Sequence, residues 1–232
     1  MRAYWNRSAQ RNAAWYVDTS LDYADPDMAH FFESGRSIVD AVLDGAPCQP
    51  ARAELAVEIG SGLGRMCAAL ADRFDQVVGI DVAPEMVRQA HELVDKPNVT
   101  FAVTNGTSIA PVADGSADLV FSFTVFQHIP SLEIIEGYVL EAGRVLRPGG
   151  VLVFQWNNEP GEHAWRVRRA VLSTLQRTGL RREPFDRHDL AFLGCRVPLP
   201  KIERALRRAG LELRGTQSLD TLYAWAWASK PA

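Results

Sequence analysis

The stretch AVEIGSGLGRM, residues 56–66, holds the glycines of this sequence that are best placed to bind a ligand. Glycines let a ligand approach the backbone N–H groups closely, and the helix predicted directly after them favours negative charge at its start. Asp81 follows Gly60 by 21 residues, the spacing expected of a carboxylate that accepts hydrogen bonds from a ribose diol. The loop and the acid together indicate a ligand that contains a nucleoside.

Two residues beside the glycines separate the classes of nucleoside ligand. A dinucleotide site uses G-x-G-x-x-G, in which the third glycine lets the helix pack closely on the strand. Here the residue three positions after Gly62 is Arg65, which is too bulky for that packing. Glu58 would repel a pyrophosphate but attract an ammonium group. A ligand with an adenosine end and an amino acid end therefore fits better than NAD, and a nicotinamide oxidoreductase is a disfavoured alternative.

Strands and helices are predicted to alternate around this loop. Five apolar segments are the predicted strands: LAVEI (55–59), QVVGI (76–80), VTFAV (99–103), ADLVFSF (117–123) and VLVFQW (151–156). Helices between them predict a parallel, doubly wound sheet. Residues 211–217 and 221–229 predict an antiparallel hairpin at the sheet edge. The expected fold is α/β, a Rossmann-like, doubly wound seven-stranded sheet, mostly parallel with an antiparallel C-terminal hairpin.

Composition narrows the class of protein. The 232 residues carry a formal net charge of −3, which argues against a general nucleic-acid binder. Cys48, Cys67 and Cys195 are widely spaced, which favours reduced thiols over a disulfide framework. The first residues contain no long apolar run, so neither a signal peptide nor a membrane anchor is predicted. We expect a cytoplasmic protein that binds neither nucleic acid nor membranes.

Four stretches resemble the class I S-adenosylmethionine-dependent methyltransferases of the small-molecule type. VEIGSGLGRM is similar to that family's first motif and GIDVAPEMV (79–87) to its second. DGSADLVFSFTVFQHI (114–129) resembles the fourth strand and its exit. EAGRVLRPGGVLVF (141–154) resembles the helix, turn and fifth strand that complete the core. The resemblance implies S-adenosylmethionine as cofactor and transfer of its methyl group to an acceptor heteroatom.

The resemblance also implies which residues bind the cofactor. They are Glu58, Gly60, Ser61, Gly62 and Gly64 of the first motif, Asp81 on the ribose, Val82 and Met86 beside the adenine, and Phe123 and Gln127 after the fourth strand. Many relatives place an acid on the adenine amino group after the third strand, whereas this chain has Asn105-Gly106-Thr107 there. This backbone and the Asn105 amide are then expected to bind adenine. The alternative, which is compatible with that role, is a plain turn, which Asn-Gly favours.

His128, after the fourth strand, is the candidate catalytic residue. In the family's layout this position faces the methyl end of the cofactor. A general base is needed only for an acceptor that is protonated at working pH, such as an ammonium or a hydroxyl. The alternative is a histidine with a packing or capping role. Phe126 is expected to shape the acceptor pocket or the core.

Two flanking segments are expected to complete the site. Residues 1–52 predict an N-terminal helical lid or substrate segment, and residues 53–232 the methyltransferase core. Trp5 and Tyr16 are expected to face the acceptor, the alternative being that their segment is only packed on the domain. A substrate-side insertion is expected at about 157–199. Its arginines, which form either a solvated face or a site for an acidic acceptor, are Arg166, Arg168, Arg169, Arg177, Arg181 and Arg182.

The leading hypothesis is an enzyme that methylates an oxygen or nitrogen of a small molecule, such as a specialised metabolite, and that acts as a monomer or homodimer. No N/D-P-P-Y tetrapeptide follows the fourth strand, which lowers the expectation of nucleic acid or protein glutamine as acceptor. That exit also lacks the acids of metal-dependent relatives, so no metal is predicted. The alternative is a non-catalytic member of the fold that binds the cofactor and serves as a regulator or partner.

Overall fold

Five apolar segments form the parallel part of a seven-stranded sheet. The computed structural model describes residues 1–180 and 187–232. The parallel strands are β1 (Leu55–Ile59), β2 (Gln76–Asp81), β3 (Val99–Val103), β4 (Ala117–Ser122) and β5 (Leu146–Trp156), in the order β3-β2-β1-β4-β5. Every residue of β4 is buried, as is expected of a central strand with both faces covered.

The last two strands complete the sheet with opposite polarity. β7 (Ala224–Ser229) pairs antiparallel with β5, and β6 (Glu212–Gln217) pairs antiparallel with β7 at the edge. The predicted α/β fold with its C-terminal hairpin is therefore confirmed. Two starts differ by several residues, because β5 begins at Leu146 rather than Val151 and β7 begins at Ala224 rather than Thr221. Leu222 and Tyr223 lie instead in the connecting loop and line the cavity described below.

Helices cover both faces of the sheet. They are α1 (Arg2–Val17), α2 (Met28–Asp44), α3 (Arg65–Leu70), α4 (Pro84–Leu93), α5 (Leu132–Val145), α6 (Glu162–Arg177), α7 (Leu190–Leu193) and α8 (Leu199–Arg208). Side chains alternate along the strands, so Val57 and Val120 belong to one apolar cluster and Ala56 and Leu119 to the other. None of the helices in the described ranges is long and apolar enough to cross a membrane.

The first helix is fixed to the sheet by side-chain hydrogen bonds. Its backbone is broken at Asn12, whose extended φ of −169° lets its side-chain oxygen accept a hydrogen bond from Trp15 N and start the helix again. Arg2 donates to the carbonyl oxygens of Val82 and Thr104 at 3.1 and 2.7 Å. Asn6 Oδ1 accepts from the backbone N–H of Glu85 at 2.9 Å. These bonds hold α1 over the carboxyl ends of β2 and β3.

Candidate active site

The glycine-rich loop after β1 is shaped by close contact with the exit of β4. Gly60 and Gly62 have φ values of 74° and 51°, in the left-handed region that favours glycine. A Cβ atom on Gly60 would lie 2.3 Å from Val125 Cγ2, so no larger residue fits without a shift of Val125. The backbone N–H groups of Gly60 and Ser61 both donate to Ile80 O, at 2.7 and 3.0 Å. The loop therefore lies against the end of β2.

Asp81 lies at the end of β2 and connects two backbone segments. Its Oδ2 accepts from Gly62 N at 3.0 Å and its Oδ1 from Ala83 N at 2.8 Å. Burial raises the pKa of this carboxyl, and the backbone hydrogen bonds oppose that effect. Because each carboxylate oxygen can accept a second bond, Asp81 can hold the loop and still bind a diol.

Glu58 is a buried carboxyl on β1, one residue before the end of that strand. The thiol of Cys67 donates to its Oε2 at 2.8 Å. Burial is the main cause that raises the pKa of Glu58 to about 8, while Arg65 lowers it to a smaller extent. A cationic group beside this carboxyl would favour its ionised form. The position therefore suits an ammonium group better than a phosphate.

Arg65 has a role that the sequence analysis missed. Its side chain is 7% exposed, and its Nη1 lies 2.8 Å from Asp18 Oδ2 and 2.9 Å from Ser34 Oγ. The guanidinium lies 5.1 Å from the ring centroid of Phe31 and 5.6 Å from that of Phe123. It therefore ties the end of α1 to the start of α3. In the sequence, Arg65 stands directly after the glycines. Its position there indicates only that a dinucleotide is disfavoured.

One cavity of about 590 Å³ joins these residues to the acceptor side. Its volume lies in the range of small-molecule sites. The sequence-predicted residues on its wall are Trp5, Tyr16, Glu58, Gly60, Ser61, Gly62, Asp81, Val82, Met86, Phe123, Gln127 and His128. The sequence-predicted residues that do not line it are Gly64, Asn105, Gly106, Thr107 and Phe126. Within the described residues, no group of three or more His, Cys, Asp or Glu side chains is placed to hold a metal ion.

The predicted site residues that do not line the cavity have contacts elsewhere in the protein. Gly64 starts α3 with a φ of 83°, and a Cβ atom there would lie 2.6 Å from Phe101 Cζ. Asn105 is exposed, and its Oδ1 accepts hydrogen bonds from the backbone N–H groups of Thr107 and Ser108. This is the plain turn that Asn-Gly favours. Phe126 is fully buried, with its ring 5.1 Å from that of Phe154, so the structure places it in the core.

His128 is held in one tautomer. Its Nδ1 lies 2.5 Å from the backbone carbonyl oxygen of Phe192, which can only accept, so Nδ1 carries the proton. The lone pair is therefore on Nε2, 3.3 Å from Gln127 Nε2. Burial is the main cause that lowers the pKa of His128. The ring is thus a neutral hydrogen-bond acceptor at pH 7, which is the form a general base requires.

Aromatic side chains from both flanking segments surround this histidine. The ring centroids of Trp5 and Phe192 lie 5.3 and 5.0 Å from that of His128. Trp165 and Arg196 extend the same wall. Sequence reasoning missed these last two and Phe192, because the insertion has no motif that sets its path. Of its arginines, Arg181 and Arg182 lie outside the described residues.

The wall also has polar atoms that suit the cofactor implied by the sequence. Ser61 Oγ and Gln127 Oε1 are buried and have no hydrogen-bond partner among the described residues. Both residues line the cavity, next to the loop where added Cβ atoms would clash. With Asp81 for a diol and Glu58 for an ammonium, the residues present fit an adenosyl amino acid.

Comparison with known proteins identifies similarity to methyltransferases. Residues 57–154 match the model of a methyltransferase domain. The chain is 34% identical over 145 residues to 2-methyl-6-phytyl-1,4-hydroquinone methyltransferase from Synechocystis sp., covering 58% of this chain and 43% of that protein. It is 35% identical over 115 residues to trans-aconitate 2-methyltransferase from Azoarcus sp., covering 49% and 43%. The matches thus span less than half the length of these curated relatives.

A solved structure extends the likeness beyond the matched residues. Magnesium protoporphyrin IX methyltransferase from Synechocystis PCC 6803, with bound S-adenosylhomocysteine, aligns with 99% of this chain and 97% of its own at a TM-score of 0.61. The identity is 18%, so this likeness concerns the fold. The chain thus contains a match to a methyltransferase domain at residues 57–154, within a fold that it shares with this solved methyltransferase.

Proposed function

We propose that this protein transfers a methyl group from S-adenosylmethionine to an oxygen or nitrogen of a small molecule, such as a specialised metabolite. The observation that carries the proposal is the single cavity that contains both the glycine loop with Asp81 and the neutral imidazole of His128. The named activities of the similar proteins, on a hydroquinone and on trans-aconitate, support a small molecule as acceptor. Monomer and homodimer are both compatible with this cavity.

The cofactor side would be held by the loop after β1 and by two carboxyls. Asp81 would accept hydrogen bonds from the ribose, Glu58 would face the ammonium, and Ser61 Oγ would gain a partner. When bound, S-adenosylmethionine supplies an electrophilic methyl group on a sulfonium centre. Residues 1–52 would act as the lid through Trp5, and the insertion at 157–199 would form the acceptor side.

His128 would take the proton of a hydroxyl or ammonium acceptor on Nε2. The Phe192 carbonyl keeps Nδ1 protonated, so the base is oriented before the acceptor binds. The surrounding aromatic rings exclude water from the reacting atoms. A positioned base of this kind contributes on the order of 10²–10⁴-fold to the rate.

The test combines binding with transfer. Calorimetry with S-adenosylhomocysteine measures the cofactor site, and Asp81→Ala should weaken binding by about 1–3 kcal/mol because paired hydrogen bonds are lost. Radiolabelled methyl transfer to a panel of phenols, carboxylic acids and amines measures the activity. His128→Gln should lower turnover on a phenol at least about 100-fold. His30→Gln, at an exposed position of α2, is the control and should change neither.

The outcomes separate the proposal from its alternative. Binding without transfer to any member of the panel would favour a non-catalytic regulator or partner. No binding of S-adenosylhomocysteine would contradict both. Normal turnover of a phenol by His128→Gln would leave the activity in place and give the histidine a packing role.

A further inference from the structure

Two buried N–H donors on the acceptor side of the cavity lack a partner in the part of the chain that the structure describes. Trp165 Nε1 and Arg196 Nε are buried, and neither has a hydrogen-bond partner among the described residues. Both residues line the cavity, on the side formed by the insertion. Buried donors are nearly always satisfied in folded proteins, because an unpaired one loses its bonds to water without replacement. A pair of such donors on one cavity wall indicates a ligand that supplies acceptor oxygens.

The outer nitrogens of the Arg196 guanidinium are bonded within the protein, which leaves Nε as its nitrogen without a partner among the described residues. Its Nη1 donates to Pro160 O at 2.6 Å, and its Nη2 lies 2.8 Å from Glu159 Oε2. Its central carbon lies 4.8 Å from the ring centroid of Trp165. Bonds at both outer nitrogens and stacking on the indole fix the plane of the group. The two side chains that carry these donors are therefore neighbours in an arrangement set before any ligand binds.

The charge around this pair is positive. Glu159 offsets Arg196, but the guanidinium of Arg168 also lies near Trp165, 6.0 Å from its ring centroid. The nearby Glu162 is engaged by Lys201 at 2.7 Å. Among the described residues, two guanidiniums thus lie near the ring of Trp165, and one carboxylate, that of Glu159, is paired with one of them. An anion is the ligand that such a position favours.

The apolar part of the same cavity wall favours a flat ligand. Trp5 and Phe192 place aromatic rings beside His128, and Trp165 lines the same cavity. Aromatic walls pack well on a planar frame, with a few polar groups to set its orientation. The carboxylate anchor and the base then act at different places on one ligand.

We propose that the methyl acceptor is an aromatic carboxylic acid whose carboxylate is bound by Arg196 Nε and Trp165 Nε1. This inference rests on the proposed function, because it assigns the acceptor of the same cavity. The carboxylate is a binding group here, which accepts one hydrogen bond from each donor. A neutral carbonyl could accept the same bonds without using the positive charge, so the two ligand types must be compared directly.

The experiment measures the binding of 2-naphthoate and 2-naphthamide, which share a ring system and differ in charge. Calorimetry is run on the protein alone and on the protein saturated with S-adenosylhomocysteine. We expect 2-naphthoate to bind about tenfold more tightly than 2-naphthamide. Trp165→Phe, which keeps a ring but removes the donor, and Arg196→Lys, which keeps a charge but removes Nε, should each weaken 2-naphthoate about tenfold.

Arg177→Gln is the matched control. It removes a positive charge from the exposed end of α6, away from the cavity, and no unpaired donor, so 2-naphthoate should bind with a change of less than about threefold. Equal affinity for the acid and the amide, no measurable binding of either, or unchanged affinity in both donor variants would overturn the proposal. Because these titrations are also run without cofactor, they test the anchor even if S-adenosylhomocysteine fails to bind. That failure would count against the proposed function instead.

Discussion

At the scale of single residues, Glu58 combines a binding role with a penalty to stability. Its pKa is raised to about 8 in the folded protein, mainly by burial, from an ordinary value of 4.5. A carboxyl with a raised pKa stabilises the fold below its unfolded pKa, and this contribution is lost as pH rises through the folded pKa. The window is therefore pH 4.5 to 8. A residue kept at such a disadvantage is typical of a functional site.

Glu58→Gln should remove this pH dependence, since the amide does not ionise and can still accept from the Cys67 thiol. We expect the thermal midpoint of the variant to exceed that of the wild type by a margin that grows from pH 5 to pH 8. Thermal denaturation of the unliganded protein in matched buffers measures it. Glu92→Gln, on the exposed side of α4, is the control and should show a flat difference. A flat difference for Glu58→Gln would contradict the assignment.

Binding of a cation beside Glu58 should lower the raised pKa of its carboxyl. S-adenosylhomocysteine carries an ammonium group, which favours the ionised carboxylate, so wild-type protein should release a proton when it binds at pH 7. Calorimetry in buffers of different ionisation enthalpy measures this proton directly. Glu58→Gln should bind more weakly and release none. If wild type and variant released the same amount, the ammonium would lie elsewhere.

At the scale of elements, the loop after β1 depends on its contact with the exit of β4. Gly60→Ala should destabilise the protein, because the new Cβ would meet Val125 Cγ2 at 2.3 Å in addition to the strain of a φ of 74°. Gly115→Ala is a matched control, with a φ of 59° and open space around its Cβ position. Backbone strain alone is worth about 1–2 kcal/mol, so both variants should lose that amount.

The contact with Val125 should cause a further loss of stability in Gly60→Ala and none in Gly115→Ala. We expect Gly60→Ala to lose at least about 1 kcal/mol more in the free energy of unfolding than Gly115→Ala. Its affinity for S-adenosylhomocysteine should fall as well, whereas that of Gly115→Ala should not. Urea denaturation and calorimetry give both values. Equal losses in the two variants would mean that Val125 yields freely.

At the scale of the whole molecule, the sequence predicted the strands and their arrangement, because regular residue patterns mark them. Short apolar segments marked β1 to β5, and the carboxyl ends of parallel strands meet at one edge, so Gly60, Asp81 and His128 could be placed together. The hydrogen-bond partners of individual side chains could not be predicted in this way. Nothing in the spacing indicates that the carbonyl of Phe192 orients His128, because a 64-residue separation is set by the path of the insertion.

The N-terminal segment shows the same limit. The break at Asn12 interrupts the helical period, so residues 2–17 carry no clean apolar stripe although they are helical. Their place over the cavity depends on polar ties, above all the pair between Asp18 and Arg65, which connects the segment to the start of α3. Pairs of this kind link distant parts of the chain and leave no local pattern.

That pair gives the last prediction, which concerns the molecule as a unit. Asp18→Asn should leave the buried guanidinium of Arg65 without its carboxylate, whose loss costs about 3–5 kcal/mol at a buried pair. Residues 2–17 should then exchange amide hydrogens faster, and added S-adenosylhomocysteine should protect them less than in the wild type. Asp44→Asn is the matched control, because its pair with Arg73 has the same 2.8 Å distance but lies at the surface. Exchange mass spectrometry resolves both regions. Equal exchange of residues 2–17 in the two variants would mean that the segment is held by its aromatic packing and not by this ion pair.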